Sequence, residues 1–378
     1  MRVCRQKPKG AELKKYDNKV FRGILVQMNS LRRWPYTFII CVAFLTIIGA
    51  IAASVHTGVP MRDPEGFLGP AYIRLPLIAL LLFAVGLVPA AIRRCGWRSI
   101  PRGMLEIIKY EWTWKRVFYI GTGFFAFYLC YVGYRNLKSV LPIYTDGVLW
   151  DTELAQLDKW MFGGVNPAFV MQDVFGVGVS AEILSIFYLA YMPLIPLSIG
   201  VVLVLCRNLA TGAWFVTAIS LNWVMGAISY YAFPAVGPVY YQQQYYQALP
   251  ETGTTALQAT LWDNRLEFLA DPVAAEVIHG VAAFASLHCS VTFAIALFAH
   301  KTSSNAILRW GAWIFFGATF IATVYFGWHY VVDSIAGVFI GWMCVAIGQR
   351  VTKAQPLRNR STVLDPMEVV SSPDRVTT

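Results

Sequence analysis

The chain has 378 residues, 57% of them hydrophobic and only 14% charged, with a formal net charge of +10. A soluble domain carries about a quarter charged residues, so the composition excludes a soluble globular protein and points to a membrane. The basic excess flanks apolar runs and is not interleaved for phosphate contacts, which excludes a nucleic-acid-binding chain.

In chain order, residues 1–35 read as a basic cytoplasmic tail. It carries an amphipathic stripe of Val20, Phe21, Ile24, Leu25, Met28 and Leu31, expected to lie on the anionic leaflet. The first apolar run sits too far in for a cleaved signal peptide. Residues 36–116 hold two accessory spans, Tyr36–Thr57 and Ile73–Ile92, then a basic interfacial stretch. Six further spans make a core over residues 117–348: Val117–Lys138, Ile183–Leu205, Ala213–Phe233, Ala282–His300, Ala306–Trp328 and Tyr330–Ile347. Each is read as a helix, since an open sheet cannot satisfy its backbone in lipid. The fold class is therefore all-α integral membrane, a six-helix core preceded by two additional transmembrane helices. Pro193 and Pro196 should kink the fourth span. Residues 349–378 read as a polar, disordered cytoplasmic tail.

Basic residues set the orientation. They crowd the tail, the second loop, and the turns at Arg207, Lys301 and Arg309, and Arg350 onward. The long loops 139–181 and 234–285 hold only Lys159 and Arg265 against ten carboxylates: Asp146, Asp151, Glu153, Asp158, Asp173, Glu251, Asp263, Glu267, Asp271 and Glu276. Both termini are thus expected in the cytoplasm and both long loops outside. The seven cysteines show no CxxC and read as packing residues.

The run FGWHYVVDSIAGVFIG, residues 326–341, puts His329 and Asp333 four positions apart, on one helix face. An Asp inside a span costs about 2.5–3.5 kcal/mol unless it is paired or in a wet cavity. Asp333 can accept the Nδ1–H of His329, leaving Nε2 bare as a nucleophile or base; a structural pair at a helix start is the other reading. FASLHCS places His288 at the outer end of the sixth span, with Ser286 as helix N-cap. Topology alone brings both histidines to one membrane face. About eleven apolar residues follow His288, short of a crossing, so His288 should lie recessed in a polar cavity. Two imidazoles and a carboxylate suit phosphoryl transfer: one attacks phosphorus, the other protonates the leaving oxygen.

SLH followed about forty residues later by YFGWHYVVDSIAG resembles the type 2 phosphatidic acid phosphatase superfamily, with its PSGH and SRxxxxxHxxxD motifs. SLH in place of SGH is most similar to the branch of inositol phosphorylceramide synthase and its bacterial relatives. The fit extends over the six-helix core, including YRNLKSVLP and LDKWMFGG. The resemblance implies that His329 is a phosphohistidine nucleophile, Asp333 its orienter, and His288 the general acid and then base. Ala285 departs from the motif proline, and Ala322 and Thr323 from Ser-Arg, so a phosphate-binding arginine is missing; KxxxxxxRP is absent too.

Phosphate still needs positive charge. Candidates are Arg135 and Lys138 at the outer end of the third span, Arg265 alone in its loop, and Ser286 with the amides beside it. The plain alternatives are interfacial snorkelling for the first pair, a solvated side chain for Arg265 and a simple cap for Ser286. The tyrosines and glutamines of FPAVGPVYYQQQYYQ either read a polyol or sugar head group or form an interfacial belt. His56, His279 and His300 fall outside the constellation. No metal and no cofactor is expected, as no HExxH or clustered carboxylates occur at ligand spacing.

The expected function is a lipid phosphotransferase on the outer face of the plasma membrane. It would move a phospho-head group, phosphoinositol foremost, from a phospholipid to a lipid or glycolipid hydroxyl. With water as acceptor the same chemistry is a lipid phosphate phosphatase. A proton-coupled transporter is disfavoured, since its relay residues would sit near the bilayer midplane. Outer loops without N-x-S/T acceptors favour a bacterial membrane.

Overall fold

A computed structural model describes residues 34–64, 70–206, 208–275, 278 and 280–356. The basic tail with its Val20–Leu31 stripe, Arg207, His279 and the tail beyond 356 lie outside them. Among the described residues the fold is all-helical, and seven helices are long and apolar enough to cross a membrane. The protein is an integral membrane protein of the all-α class.

Helices α1 (Thr37–Thr57) and α2 (Ala71–Cys95) precede α3 (Ile100–Glu111), an amphipathic helix that packs back on α2. α1 ends at Gly58, whose left-handed backbone lets its N–H reach Ser54 O at 2.9 Å. α4 (Trp114–Ser139) packs on α1 and on α8 (Leu209–Ala232). Between α4 and α8, after a single helical turn at Leu141–Thr145, come the short helices α5 (Asp151–Met161) and α6 (Pro167–Phe175) and the long α7 (Val179–Gly200). Pro193 and Pro196 lie inside α7, which remains one helix and widens into a π-helical turn at Val201–Leu205. A proline-depleted hydrogen-bond ladder followed by a π turn is a local irregularity that neighbouring helices must support.

After α8 the chain runs through α9 (Gly253–Ala270), α10 (Leu287–Thr302), α11 (Ala306–Tyr325) and α12 (Val331–Thr352). α12 thus stays helical past Ile347. α8 is the hub: α12, α4 and α10 all pack against it. α10 and α12 meet closely because Gly337 and Gly341 form a GxxxG pair. A Cβ on either would collide with the backbone carbonyl of Ser286 or Ser290.

The sixth expected span differs from its sequence reading. Its helix starts at Leu287, five residues later than Ala282, and its 16 residues rise about 24 Å, short of a typical ~30 Å hydrocarbon core. Residues 281–286 enter as irregular backbone. Such backbone survives at depth only when protein satisfies it, and it does here. Ala283 N–H donates to Ala235 O (2.9 Å), Ala285 N–H to Ser229 Oγ (3.0 Å) and Ser286 N–H to Asp333 O (3.0 Å). On the outer flanks, Leu45, Val55, Leu80, Ile307 and Ile314 are exposed by 60% or more, a surface suited to lipid and not to water.

Candidate active site

The last of those hydrogen bonds fixes the site. It ties the N-cap of α10 to the first turn of α12, so His288 and His329 face each other with ring centroids 6.0 Å apart. Ser286 is a fully buried cap whose Oγ accepts the Cys289 N–H at 3.3 Å.

His329 sits on the turn between α11 and α12, held on three successive carbonyls. Gln172 of α6 donates to Tyr325 O (3.2 Å), Gln258 of α9 to Phe326 O (2.8 Å), and Val239 N–H to Gly327 O (2.8 Å). Gly327 has φ +68°, and a side chain there would strike the Tyr246 ring. Burial holds the His329 imidazole well below its ordinary pKa, at about 3, with the nearby Lys138 charge adding and the Ala283 backbone opposing. The free ring is therefore neutral, the state a nucleophile needs.

Asp333 is fully buried. Its Oδ2 accepts the Tyr330 N–H at 3.0 Å and lies 3.6 Å from His329 Nδ1. At that distance the expected Nδ1–H to carboxylate hydrogen bond is not formed, and the same oxygen caps α12. The carboxyl group faces the ring, with Oδ1 and Nδ1 free of hydrogen bonds among the described residues.

His288, half-buried, leans on two tyrosines of α7 one turn apart: Tyr188 at 4.4 Å and Tyr191 at 4.1 Å between centroids. Tyr188 stacks in turn on Trp328 at 5.0 Å, making an aromatic wall beside the histidine pair.

The cations divide. Lys138 is 8% exposed, with Nζ 4.8 Å from the Tyr230 ring, and its charge is felt at both imidazoles. It is buried, not snorkelling to the interface. Arg135 turns toward the backbone at 280. Arg265 lies over Trp262 at 5.9 Å; burial lowers its pKa and the Asp151 charge opposes this. Neither arginine is among the charges acting on the two rings. Thr323, in the expected arginine position, is buried and donates to Phe320 O at 2.8 Å.

Two residues read from the sequence as outer-loop charge are buried here instead. Asp151 accepts from Val236 and Gly237 N–H (2.9 Å each) and from Tyr330 Oη (3.0 Å). Asp158 accepts from Val331 N–H (2.7 Å) and Val332 N–H (3.1 Å). Burial pushes both carboxyls up, Asp158 to about 6, despite these hydrogen bonds. A recess opens at His329, lined by Asp158, Lys159, Asn166, Gln242 and Tyr246, so part of the Tyr-Gln stretch does reach the site.

A family model described as the PAP2 superfamily matches residues 152–347, which include His288, His329 and Asp333. The chain belongs to this superfamily. A lipid-phosphate phosphatase or phosphotransferase type of function follows from that membership. The match begins beyond α4, so Arg135 and Lys138 lie outside the matched residues of this PAP2 chain. Searches of curated proteins and of solved structures returned no match.

Proposed function

We propose that this PAP2-superfamily protein is a phosphotransferase of the inositol phosphorylceramide synthase-like branch, moving a phosphoinositol head group from a phospholipid to a lipid or glycolipid hydroxyl. The observation that carries the reading is the facing pair His288 and His329 at 6.0 Å, with the Asp333 carboxylate 3.6 Å behind His329. His329 attacks phosphorus, forming a P–N bond as the P–O bond to diacylglycerol breaks. His288 delivers a proton to the departing oxygen. The acceptor hydroxyl then passes its proton to His288 and attacks phosphorus, and the P–N bond breaks. Asp333 stabilises the cationic imidazole of the intermediate, and Lys138 the phosphoryl oxygens.

The aromatic wall around His288 supports an organic acceptor over water, and Gln242, Asn166 and Tyr246 offer neutral polar atoms suited to a polyol. The distribution of basic residues supports cytoplasmic termini and a site on the outer, periplasmic face of a bacterial plasma membrane. Arg135, Arg265 and Ser286 act at most as second-line phosphate contacts in this scheme. The test is a purified-protein assay with phosphatidylinositol and a hydroxylated lipid acceptor. Transfer yields a new inositol-phosphate lipid, lost in His329→Ala; release of water-soluble inositol phosphate with no new inositol-phosphate lipid, or turnover confined to inorganic phosphate released from a lipid phosphate monoester, identifies water as the acceptor and refutes transfer.

A further inference from the structure

Helix α5 buries two carboxylates seven residues apart, two turns along one face. Asp151 is 0% and Asp158 3% exposed. Buried carboxylates are rare unless compensated, and both are compensated by the backbone that carries the proposed nucleophile. The N–H groups of Val331 and Val332 are orphan donors of the first turn of α12. Asp158 takes both, at 2.7 and 3.1 Å. The neighbouring donors are assigned as well: His329 N–H to Thr323 O (3.3 Å) and Tyr330 N–H to Asp333 Oδ2 (3.0 Å). Four consecutive amides between the imidazole and the carboxylate are therefore fixed, and two of them hang on one side chain from a helix some 170 residues earlier.

The rest of that face supports the same element. Leu154 and Ala155 pack with Ala235, Ala283 and Tyr330, and Tyr330 Oη reaches Asp151. A simple helix cap needs only a Ser, Asn or Asp at the helix start itself. Asp158 instead adds a second buried carboxylate close enough to feel the Asp333 charge, an unfavourable placement unless the position of α12 is what it secures.

We propose that Asp158 is a positioning residue, fixing the first turn of α12 so that His329 and Asp333 stay in register with His288. α5 is then part of the catalytic apparatus. This rests on His329 as the phosphoryl acceptor. The test compares Asp158→Asn, Asp158→Ala and Leu154→Ala in the full-length protein in mixed micelles. Leu154→Ala loosens α5 without touching a carboxylate. Asp158→Ala should lower kcat about 10- to 100-fold with KM within about twofold. Asp158→Asn, which keeps one acceptor oxygen, should fall between it and the wild type. Hydrogen exchange at Val331 and Val332 should rise in both Asp158 variants beyond any rise in Leu154→Ala. Unchanged exchange there, or a kcat loss no greater than that of Leu154→Ala, overturns the proposal. A His329→Ala control separates the two ideas: retained turnover in it refutes the nucleophile, whereas the exchange data judge the clamp independently.

Discussion

Asp333→Asn isolates a charge from a shape. The carboxamide oxygen can still accept the Tyr330 N–H, now at 3.0 Å, so the start of α12 is kept and a buried ionisable group is removed. Thermal stability should be unchanged or higher. What disappears is attraction between the carboxylate and the positive charge that grows on His329 as phosphorus is attacked. At 3.6 Å and an effective dielectric of ~20, this attraction is about 4–5 kcal/mol for a full charge. The transition state carries part of that charge, so a loss of about 3–4 kcal/mol is expected, or 10²- to 10³-fold. The neutral ground state feels the carboxylate weakly, which places the loss in kcat and leaves KM nearly constant. The assay is turnover of a fluorescent phosphatidylinositol, together with acid-labile label trapped on the protein. An Asn variant within about threefold of wild-type kcat would show that Asp333 is only a helix cap.

Other expectations follow from the same geometry. His288→Gln should be slow with natural phospholipids and markedly recovered with a donor bearing a nitrophenolate leaving group, which needs no proton; equal defects on both donors would remove His288 as general acid. Lys138→Met should lower kcat/KM about 10- to 100-fold by deleting a charge-assisted phosphoryl contact. Arg135→Met should cost less, and the reverse order would exchange their roles. Because the folded-state pKa of His329 is depressed to about 3, the unfolded chain takes up its proton first as pH falls below about 6.5. Stability is thus intact above that value and declines through the window down to about 3. At pH 5 this amounts to about 2 kcal/mol, so His329→Gln should gain on the wild type by that margin between pH 7.5 and 5. A stability difference independent of pH would contradict the burial argument. Gly341→Leu should destabilise by about 1–3 kcal/mol or more through overpacking, whereas Gly311→Ala, with nothing within 4 Å, should be neutral; thermal unfolding in detergent checks both.

The motif residues were legible in the sequence because their chemistry is local. Four residues of helix bring Asp333 under His329 whatever surrounds them, and charge asymmetry across the loops suffices to put His288 at the same end. The supports were not legible. Gln172, Gln258, Asp151 and Asp158 act across 68 to 174 residues of chain, and in the loop sequence a buried, hydrogen-bonded carboxylate looks the same as a solvated one. Tyr188 and Tyr191 sit at helical spacing in YLAYMP, a pattern shared by any lipid-facing stripe. Among the cations, Lys138 and Arg135 lie one turn apart on α4, and sequence could not say which of them turns inward.

Sequence alone therefore determined that the chain crosses a membrane as helices, and singled out His288, His329 and Asp333 as candidates, since hydropathy and short-range helical geometry need no partner. Tertiary structure decided the late start of α10, the 3.6 Å separation of Asp333 from His329, the burial of Lys138 and the hydrogen bonds between Asp158 of α5 and the start of α12. The late start of α10 and the burial of Asp158 depend on where buried polar groups find their hydrogen-bond partners, and those partners come from distant segments of the chain.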